Sequence, residues 1–578
     1  MNKLLLFRLA VILQVLIYVT PATAQQNNKI HANPKIEKLS NAISSAVKKC
    51  YPASVLMWEI DGESGQRMSA QFSGVVVSAK GQIFSAAHVV RPGRSYQVMF
   101  PDGRKCVAKG LGRIAIAPSY MVPDAAALKI LDKGNWPFVQ LGWSSSVWIN
   151  EPCISIAYPE SQEQRKPYVR FGRVSVLKNE HGFIESTCLM EPGDSGGPLF
   201  DLSGRLIGLH SGIQQQEDIN YEIPVDTYRK YLTALNREED YASLPKDTDV
   251  VGIGPSPLTA KNIPAANDLN KEFKAVDKAV KGSCVKISSN VDGQVQHILG
   301  TVINLDIEHL KAPFNGKSIV VSKNSMLGEA PVITLPSGEV VKSTVLARDK
   351  ANDLVLLLPA SDSKIKGIGL KALHADSVGF SDLGNFLISP LPDSAASISV
   401  LGSMFFNLPK VSSYGYLGAV TAEKDDKLVF TYIQPKSAAE QADISMGDQL
   451  LAVDSKAVND QLDVLKSLQK YRAGDTTMFT IMSKGIKLDK IVVLKYPPQK
   501  ITNHPVERFP GGKSLRRDGF NNIFAHDARI KPNECGGPVF DASGYFMGIN
   551  MARLSRTGTV VMPVAAVERL VVEDVAEK

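Results

Sequence analysis

Glu191-Pro-Gly-Asp-Ser-Gly-Gly-Pro198 is the most specific pattern in this sequence of 578 residues. Glycine makes up about 7% of average sequence, so its three glycines would coincide by chance roughly once in 3,000 positions, and the fixed Asp, Ser and Pro make an accident remote. A Ser on such a tight turn is typical of a nucleophile, because backbone N–H groups can converge there on the negative oxygen of a tetrahedral intermediate. The pattern therefore predicts Ser195 as a nucleophile, with the N–H groups of Gly193 and Ser195 as its oxyanion hole.

A nucleophilic Ser needs a base, and the base needs a carboxylate that orients it. Ile83-Phe-Ser-Ala-Ala-His88 places a His at the end of an apolar strand. Asp124-Ala-Ala-Ala-Leu-Lys-Ile130 opens another apolar strand with an acid, which would be costly to bury without a partner. The chain order His88, Asp124, Ser195 is that of the chymotrypsin fold, in which a pair of six-stranded β-barrels holds the site between them.

Residues 35–235 resemble the HtrA/DegP family of exported serine proteases, in the Asp124–Ile130 segment and in Tyr221-Glu-Ile-Pro-Val225. The family usually reads D-L-A-V-L-K-I and F-A-I-P there, so both matches are approximate. The resemblance implies cleavage of unfolded or misfolded proteins after small or aliphatic residues. Leu189 and Met190 would line the primary pocket together with His210, and apolar residues at those first two positions argue against a preference for Lys or Arg.

A second segment near the C-terminus repeats the first. Ser195-Gly-Gly-Pro-Leu-Phe-Asp-Leu-Ser-Gly204 matches Cys535-Gly-Gly-Pro-Val-Phe-Asp-Ala-Ser-Gly544 at eight of ten positions, counting one near-identity. This self-similarity predicts an internal duplication. Alignment of the copies puts Asn324 at the position of the base, Asp353 at that of the acid and Cys535 at that of the nucleophile.

The second copy therefore has no base where one is expected, and we interpret it as a degenerate protease. A Cys is a nucleophile only where a base or an electropositive site favours the thiolate. The alternative interpretation is a Cys peptidase in which Cys535 uses another imidazole, such as His309 or His526.

The second copy also contains an insertion. Asp124 and Ser195 are 71 positions apart, whereas Asp353 and Cys535 are 182 positions apart. The excess is long enough for one small domain together with some loop.

Residues 411–496 fill that excess and resemble a PDZ domain, in Tyr416-Leu-Gly-Ala419 and Gly447-Asp-Gln-Leu-Leu-Ala-Val-Asp454. The resemblance implies that a peptide C-terminus adds as a strand, with Leu462 near the groove. The loop that would hold its carboxylate is Tyr416, Leu417 and Gly418. A structural module without a ligand is the other interpretation.

The sequence thus predicts a mainly β chain: a chymotrypsin-like double β-barrel, duplicated, plus a PDZ-like domain. An amphipathic helix is expected over 36–49, where Ile36, Leu39, Ile43 and Val47 fall at helical spacing. Another is expected over about 265–281, so that a helix precedes each copy. The predicted boundaries are a signal peptide at 1–24, a trypsin-like serine protease domain at 35–235, a linker at 236–264, a degenerate protease-like domain at 265–410 and 497–578, and the PDZ-like insertion at 411–496.

The first 24 residues have the features of a signal peptide. Lys3 supplies the positive start, Leu9–Val19 is apolar apart from Gln14, and Ala22-Thr23-Ala24 suits a signal peptidase. The apolar stretch is shorter than the about 20 residues that span a membrane, although an uncleaved anchor is the alternative. We therefore expect a periplasmic or secreted protein.

Composition narrows the partners and cofactors. The chain is 44% hydrophobic and 21% charged, and its formal net charge of +7 falls to +5 without Lys3 and Arg8. So small an excess over this length predicts no nucleic-acid partner. The six cysteines lack metal-ligand spacing, so no metal or other cofactor is expected. They are either disulfide-bonded or buried as small hydrophobes.

These features together predict an exported serine endopeptidase that forms an acyl-enzyme, with the degenerate copy and the PDZ-like domain regulating it or presenting substrate. Its partners would be unfolded proteins, peptides and peptide C-termini. The sequence does not decide whether the chain forms a homo-oligomer, although HtrA relatives often form trimers. The alternative from another class is a catalytically silent binding or chaperone protein of the cell envelope.

Overall fold

The computed structural model describes residues 33–575 except 117–122, 163–164, 253, 255–268, 292, 306–313, 315, 361–364, 370–377, 499–501 and 503. The predicted signal peptide and His309 lie outside the described residues, as does part of the predicted linker. Within the described ranges, no helix combines the length and the apolar character needed to cross a membrane.

The first β-barrel lies at the start of the described chain. Its long strand Lys105–Ala115 alternates buried and partly buried side chains, as expected of a strand with one face in a core. The strands are β1 Ser54–Ile60, β2 Phe72–Val76, β3 Gln82–Ala86, β4 Ser95–Met99, β5 Lys105–Ala115 and β6 Asp124–Ile130. Hydrogen bonding joins them in the cyclic order β1-β2-β3-β6-β5-β4, and the β5–β6 pairing closes the barrel.

The second barrel follows directly and has the same topology. Its strands are β8 Pro152–Ala157, β9 Tyr168–Val176, β10 Ile184–Ser186, β11 Pro198–Asp201, β12 Arg205–Ile213 and β13 Asn220–Pro224. They follow the cyclic order β8-β9-β10-β13-β12-β11, with β11–β12 as the closing pair. The short strands β7 Gln140–Leu141 and β14 Asp240–Tyr241 add to β12 and β5. We call residues 54–241 the N-terminal barrel unit.

A third barrel repeats this order later in the chain. Its strands are β15 Cys284–Val291, β16 Gln294–Asn304, β17 Ser318–Lys323, β18 Val332–Thr334, β19 Val340–Asp349 and β20 Leu354–Pro359, with β21 Ile368–Gly369 added to β16. The cyclic order is β15-β16-β17-β20-β19-β18, closed by β15–β16. The structure is therefore mainly β, as predicted, with three six-stranded barrels of one topology.

A fourth sheet packs beside the third barrel. Its strands are β22 Phe386–Ser389, β23 Ser397–Val400, β24 Phe406–Leu408, β31 Phe520–His526, β32 Pro538–Asp541, β33 Phe546–Arg553 and β34 Thr559–Pro563. The order is β23-β22-β32-β33-β34-β31-β24, and a bridge between Leu401 and His526 links the end of β23 to β31. We call the third barrel and this sheet, residues 284–408 and 520–563, the C-terminal barrel unit.

The chain leaves the fourth sheet after Leu408 and returns to it at Phe520, and the segment between holds a separate sheet. The strands are β25 Ala419–Lys424, β26 Lys427–Ile433, β27 Gln449–Val453, β28 Lys456–Ala457, β29 Thr476–Ser483 and β30 Ile486–Val493. They run in the order β25-β26-β27-β29-β30, with β28 on β27. The buried residues of this region form a hydrophobic cluster of their own, which includes Phe430 and Phe479. The insertion is therefore a domain in its own right.

Helices connect and cover these sheets. They are α1 Pro34–Cys50, α2 Val225–Lys230, α3 Leu232–Leu235, α4 Leu269–Glu272, α5 Lys274–Val280, α6 Ala438–Gln441, α7 Gln461–Gln469 and α8 Val564–Val575. Asn33 caps α1 by accepting a hydrogen bond from the Lys35 N–H at 3.0 Å. The helix expected over 36–49 is thus confirmed as α1, and the described part of the helix expected over 265–281 is split into α4 and α5 at Phe273.

Glu151 offers a test of the packing in the second barrel. Burial, with a smaller contribution from the Asp201 charge, raises the pKa of this carboxyl to about 8 against the hydrogen bond from the Trp148 N–H. The folded chain therefore holds a proton that the unfolded chain releases above about pH 4.5, and stability falls as the pH rises from there toward 8. We expect Glu151→Gln to raise the free energy of unfolding by roughly 1–3 kcal/mol at pH 8.5, and by less at pH 5.

Denaturant unfolding of both chains at the two pH values measures this difference. Glu63→Gln, at an exposed position, is the control and should give a change that does not depend on pH. Equal effects of Glu151→Gln at both pH values would contradict the raised pKa.

Candidate active site

The predicted nucleophile lies in the cleft between the first two barrels. Ser195 precedes β11 of the second barrel, and Ser73 of β2 in the first barrel contacts its turn. The Ser73 N–H donates to the carbonyl of Ser195 at 3.0 Å, and the Ser73 hydroxyl donates to the carbonyl of Gly193 at 2.7 Å. The position of the turn therefore depends on both barrels.

His88 and Asp124 reach the same cleft from the first barrel. His88 lies in a single 3₁₀ turn after β3, and Asp124 is the first residue of β6, which pairs with β3. His88 Nε2 is 2.9 Å from Ser195 Oγ, and His88 Nδ1 is 2.8 Å from Asp124 Oδ2. The structure thus brings together all three residues that the sequence singled out.

Two further hydrogen bonds hold Asp124 in place. The His88 N–H donates to Asp124 Oδ1 at 3.0 Å, and the Ser211 hydroxyl donates to Oδ2 at 2.7 Å. The carboxylate is mostly buried, with 12% of its side chain exposed, whereas 44% of the His88 side chain is exposed. Sequence reasoning missed Ser211, whose only signal was its place next to His210 on an apolar strand.

The turn around Ser195 suits an oxyanion hole. Gly193 has φ of +95°, and a Cβ there would lie 2.5 Å from the carbonyl oxygen of Tyr158, so only Gly fits. Within the part of the chain that the structure describes, neither the Gly193 nor the Ser195 N–H is donated to a protein acceptor. Both N–H groups are therefore free to bind an oxygen of a ligand.

A buried ion pair fixes this turn from below. Arg170 of β9 contacts both oxygens of Asp194, at 2.8 Å from Nη1 to Oδ2 and 2.6 Å from Nη2 to Oδ1, and both side chains are fully buried. A bidentate ion pair of this kind fixes the orientation of the carboxylate as well as balancing its charge. Arg170 Nη1 also donates to the carbonyl of Leu189. Arg170 was not predicted from the sequence, because an Arg in a β-strand gives no indication of the carboxylate it will pair with.

The residues expected to line the primary pocket lie deep in the second barrel. Leu189 and Met190 are buried, and His210 is fully buried behind Gly197. Ser155 Oγ is 2.5 Å from His210 Nε2, and His210 Nδ1 is 2.7 Å from Glu222 Oε2.

This second Ser–His–acid arrangement has none of the access that the Ser195 site has. Ser155, His210 and Glu222 are all 0% exposed, so a substrate carbonyl cannot approach the hydroxyl. The Ser186 hydroxyl also donates to Glu222 Oε1 at 2.7 Å, which completes the hydrogen bonding of the carboxylate. We therefore interpret this group as a buried polar network that supports the pocket.

The corresponding positions of the C-terminal barrel unit are arranged differently. Asn324 Oδ1 accepts from Arg348, and the Asn324 N–H donates to the backbone carbonyl of Asp353. The Asp353 carboxylate instead pairs with Lys323 at 2.9 Å and accepts from the Ser325 N–H at 2.7 Å. Within the described residues, no chain of side-chain hydrogen bonds therefore leads from Asp353 through Asn324.

Cys535 is fully buried, and its surroundings disfavour a thiolate. Its sulfur lies 3.8 Å from the Ser514 hydroxyl, and burial raises the pKa of the thiol. His526 cannot serve as its base in this arrangement. Its Nε2 contacts Asn550 at 2.7 Å and its Nδ1 accepts from the Ala528 N–H at 3.2 Å.

The loop expected to hold a peptide carboxylate lies at the edge of the inserted sheet. Gly418 has φ of +73° and packs so closely on Ser437 that a Cβ would lie 2.3 Å from the Ser437 Cβ. Among the described residues, the N–H groups of Leu417 and Gly418 have no protein acceptor. Strand β25 is an end strand of its sheet, and α7 lies beside it, because the Gln461 side chain donates to the carbonyl of Thr421 in β25. Leu462 and Leu465 of α7 are more than half exposed. Tyr416 closes the loop through reciprocal backbone hydrogen bonds with Lys495.

Comparisons with known proteins agree with this architecture. The family model of the trypsin-like peptidase domain matches residues 72–209, and that of the PDZ domain matches residues 415–492. The fold and these two matches define trypsin-like barrels combined with a PDZ domain.

Two curated relatives and one solved structure are similar to parts of this chain. A probable periplasmic serine endoprotease DegP-like from Brucella suis biovar 1 is 24% identical over 420 residues, 70% of this chain and 69% of the Brucella protein. A protein of the same description from Hahella chejuensis is 31% identical over 185 residues, 30% of this chain and 37% of that protein. The crystal structure of the serine endoprotease from Yersinia pestis covers 79% of this chain and 98% of its own, at 15% identity and a TM-score of 0.27. The chain is thus similar in sequence to HtrA/DegP-like serine proteases, and it combines trypsin-like barrels with a PDZ domain.

The described residues contain no group of three or more His, Cys, Asp and Glu side chains placed to hold a metal ion. All six cysteines are buried and unpaired. Burial raises the pKa of both Cys50 and Cys106 to about 12.

We therefore expect the thiols of the native chain to resist modification. At pH 8 the native protein should react with fewer than about 0.2 equivalents of dithionitrobenzoate in ten minutes, because all six thiols are buried. After unfolding in guanidinium, all six should react. Ser64→Cys, in an exposed turn, is the positive control and should add one rapidly reacting thiol. Rapid labelling of Cys535 in the native chain, located by mass spectrometry, would contradict its burial and favour the Cys peptidase alternative.

Proposed function

We propose that the chain is an exported serine endopeptidase that cleaves unfolded or misfolded proteins. The observation that carries this proposal is the alignment of Ser195, His88 and Asp124 through contacts of 2.9 and 2.8 Å in an accessible cleft. The free N–H groups of Gly193 and Ser195 support it. The HtrA/DegP-like architecture favours unfolded substrates, and the relatives described as periplasmic favour export.

The reaction begins when Ser195 Oγ attacks the carbonyl carbon of the scissile bond. His88 Nε2 takes the hydroxyl proton, and Asp124 holds the Nδ1 proton and stabilises the resulting imidazolium. The carbonyl oxygen becomes an oxyanion bound by the N–H groups of Gly193 and Ser195, each typically contributing about 3–4 kcal/mol. His88 then gives its proton to the leaving amine, and the acyl-enzyme forms. Water, deprotonated by His88, releases the acid product in the same way.

The C-terminal barrel unit serves in this proposal as a degenerate second copy without chemistry of its own. Its strand order and the repeated segment at Cys535 support a duplication. The pairing of Asp353 with Lys323 and the burial of Cys535 support the loss of activity. The PDZ domain would bind peptide C-termini beside β25, and would thereby present substrate to the active site or regulate it.

Degradation of unfolded casein tests the activity. The chain lacking residues 1–24 should degrade casein, and Ser195→Ala should lower the rate by about 10⁴-fold or more, because the nucleophile is lost. Cys535→Ala should leave the rate within twofold of the parent chain.

Labelling by a fluorophosphonate distinguishes an inactive site from a poor choice of substrate. The probe should attach to Ser195 and to no other residue. Casein cleavage that survives Ser195→Ala and is lost with Cys535→Ala would overturn the assignment of the nucleophile. A chain that neither cleaves casein nor reacts with the probe would favour the binding or chaperone alternative.

Peptide binding tests the PDZ domain. A pool of fluorescein-labelled peptides with apolar C-terminal residues should bind at least about tenfold more tightly as free acids than as amides, because the loop N–H groups donate hydrogen bonds to a carboxylate. Leu465→Glu should weaken binding of the acids about tenfold by placing a charge beside β25. Ile491→Glu, on the far edge strand β30, is the matched control, since Ile491 is also exposed and apolar. Equal binding of acids and amides, measured by anisotropy, would indicate a structural module.

A further inference from the structure

The strand that carries Arg170 is held from outside the N-terminal barrel unit. Residues 168–171 of β9 pair with β8 on one side, but β10 pairs only with the far end of β9. The remaining edge faces the C-terminal barrel unit. The Val169 N–H donates to the carbonyl of Gly402 at 2.9 Å, and the Phe171 N–H donates to Asp527 Oδ2 at 2.8 Å. Arg170 is thus bracketed by two hydrogen bonds to the other unit.

This contact between the units is close and specific. A Cβ on Gly402 would lie 2.0 Å from the ring of Tyr168, so only Gly allows the backbone to approach the strand. The second oxygen of Asp527 accepts from the Val400 N–H at 2.8 Å, which fixes the carboxylate to its own unit. Asp527 therefore links β9 to β23 across the interface.

A second contact reaches the Ser195 turn by another route. Thr557, a buried residue in the loop before β34, donates its hydroxyl to Glu191 Oε2 at 2.8 Å. Glu191 Oε1 accepts from the Ser161 N–H, and the Glu191 N–H donates to Asp194 Oδ2 at 2.8 Å. The C-terminal barrel unit thus contacts Glu191, and Glu191, like Arg170, is hydrogen-bonded to Asp194.

Three arginines keep the two units in register. Arg553 pairs with Glu217 at 2.5 Å, Arg529 pairs with Asp218, and Arg556 donates to the backbone carbonyls of residues 214, 216 and 217. All of these acceptors lie in the loop between β12 and β13. Charge-assisted bonds of this kind are strong and directional, so the units cannot shift freely against each other.

We infer that the C-terminal barrel unit is an internal support for the reaction, and that Arg170 is the positioning residue through which it holds the Gly193–Ser195 turn. The inference rests on the proposed function, because it concerns the rate at Ser195. Oxyanion donors act only when they are held in place before the reaction, and a misplacement of about 1 Å can cost 10²-fold in rate. The C-terminal barrel unit contacts both the strand that carries Arg170 and Glu191, and so it constrains Asp194 through both of its hydrogen-bond partners.

The test removes one contact between the units and leaves Ser195, His88 and Asp124 untouched. Thr557→Val in the full mature chain should lower kcat for fluorescent casein about three- to tenfold with KM unchanged, and slow fluorophosphonate labelling by the same factor. Thr477→Val is the matched control, because it removes a buried hydroxyl–carboxylate bond of 2.9 Å, to Asp454, inside the PDZ domain. Its kcat should stay within about 1.5-fold of the parent chain.

Arg170 variants test the positioning role more directly. Arg170→Met should lower kcat about 100-fold or more, and Arg170→Lys, which keeps the charge but not the two-bond geometry, should restore part of it. Thermal unfolding establishes that each variant is folded. Should Arg170→Met fail to fold, Thr557→Val and Arg170→Lys carry the test.

The outcomes separate this inference from the proposed function. An active parent chain in which Thr557→Val and Thr477→Val have equal kcat overturns the inference alone. A loss confined to KM or to stability overturns it as well, because support of the oxyanion turn must appear in kcat. A parent chain that neither reacts with the probe nor cleaves casein overturns the proposed function, and this inference with it.

Discussion

The buried ion pair between Arg170 and Asp194 is the constraint on which the candidate active site depends. Asp194 stands between the two residues whose N–H groups face the cleft, so its carboxylate determines how the turn is oriented. Removing one partner from a buried pair leaves an uncompensated charge, which typically costs about 3–5 kcal/mol. The turn therefore cannot relax to another arrangement cheaply while Arg170 stays in place. Strand β9, which carries Arg170, also lies at the interface with the C-terminal barrel unit. The geometry of the Ser195 turn therefore depends on how the two barrel units pack.

The two barrel units share a polar layer in their cores even where their chemistry differs. In the N-terminal unit Ser155, His210 and Glu222 are joined by hydrogen bonds, and in the C-terminal unit Ser389, Asn550 and His526 are joined in a similar way. The histidine lies on β12 in the first unit and on β31 in the second. A buried polar group without a partner is costly, so a substitution of one member of such a network requires substitutions of its partners. This cost alone can keep the polar residues in the core, without any role for them in catalysis.

Much of this architecture could be predicted from the sequence because its signals are local. The glycines around Ser195 indicate a turn that no other residue permits. The spacing of Ile36, Leu39, Ile43 and Val47 indicates one face of α1, and all four residues are buried. The excess length between Asp353 and Cys535 located the insertion, which the structure places between β24 and β31.

The rest could not be predicted, because it depends on pairs that are far apart in the chain. Nothing near Arg170 in the sequence indicates Asp194, and nothing near Thr557, 366 positions away, indicates Glu191. The place of His210 was likewise undetermined, since a His on an apolar strand suits a pocket wall and a buried network equally well. Only the strand pairing of β12 with β13, which sets His210 opposite Glu222, separates these possibilities.

If the C-terminal barrel unit is a degenerate copy, as proposed, the surroundings of Cys535 would keep its site inert in more than one way. The chain that returns from the PDZ domain crosses this site: the Ser514 N–H donates to the carbonyl of Arg553, and the Ser514 hydroxyl accepts from the Arg553 N–H, both at 3.0 Å. Ser514 thereby covers the thiol, while Asp353 is held by Lys323 and Arg516. A His in place of Asn324 would find the Asp353 carboxylate already paired and the Cys535 thiol already covered. Under the proposed duplication, the inserted domain and the lack of a His at position 324 would therefore keep this site inert independently, and reversing either change alone would not restore activity.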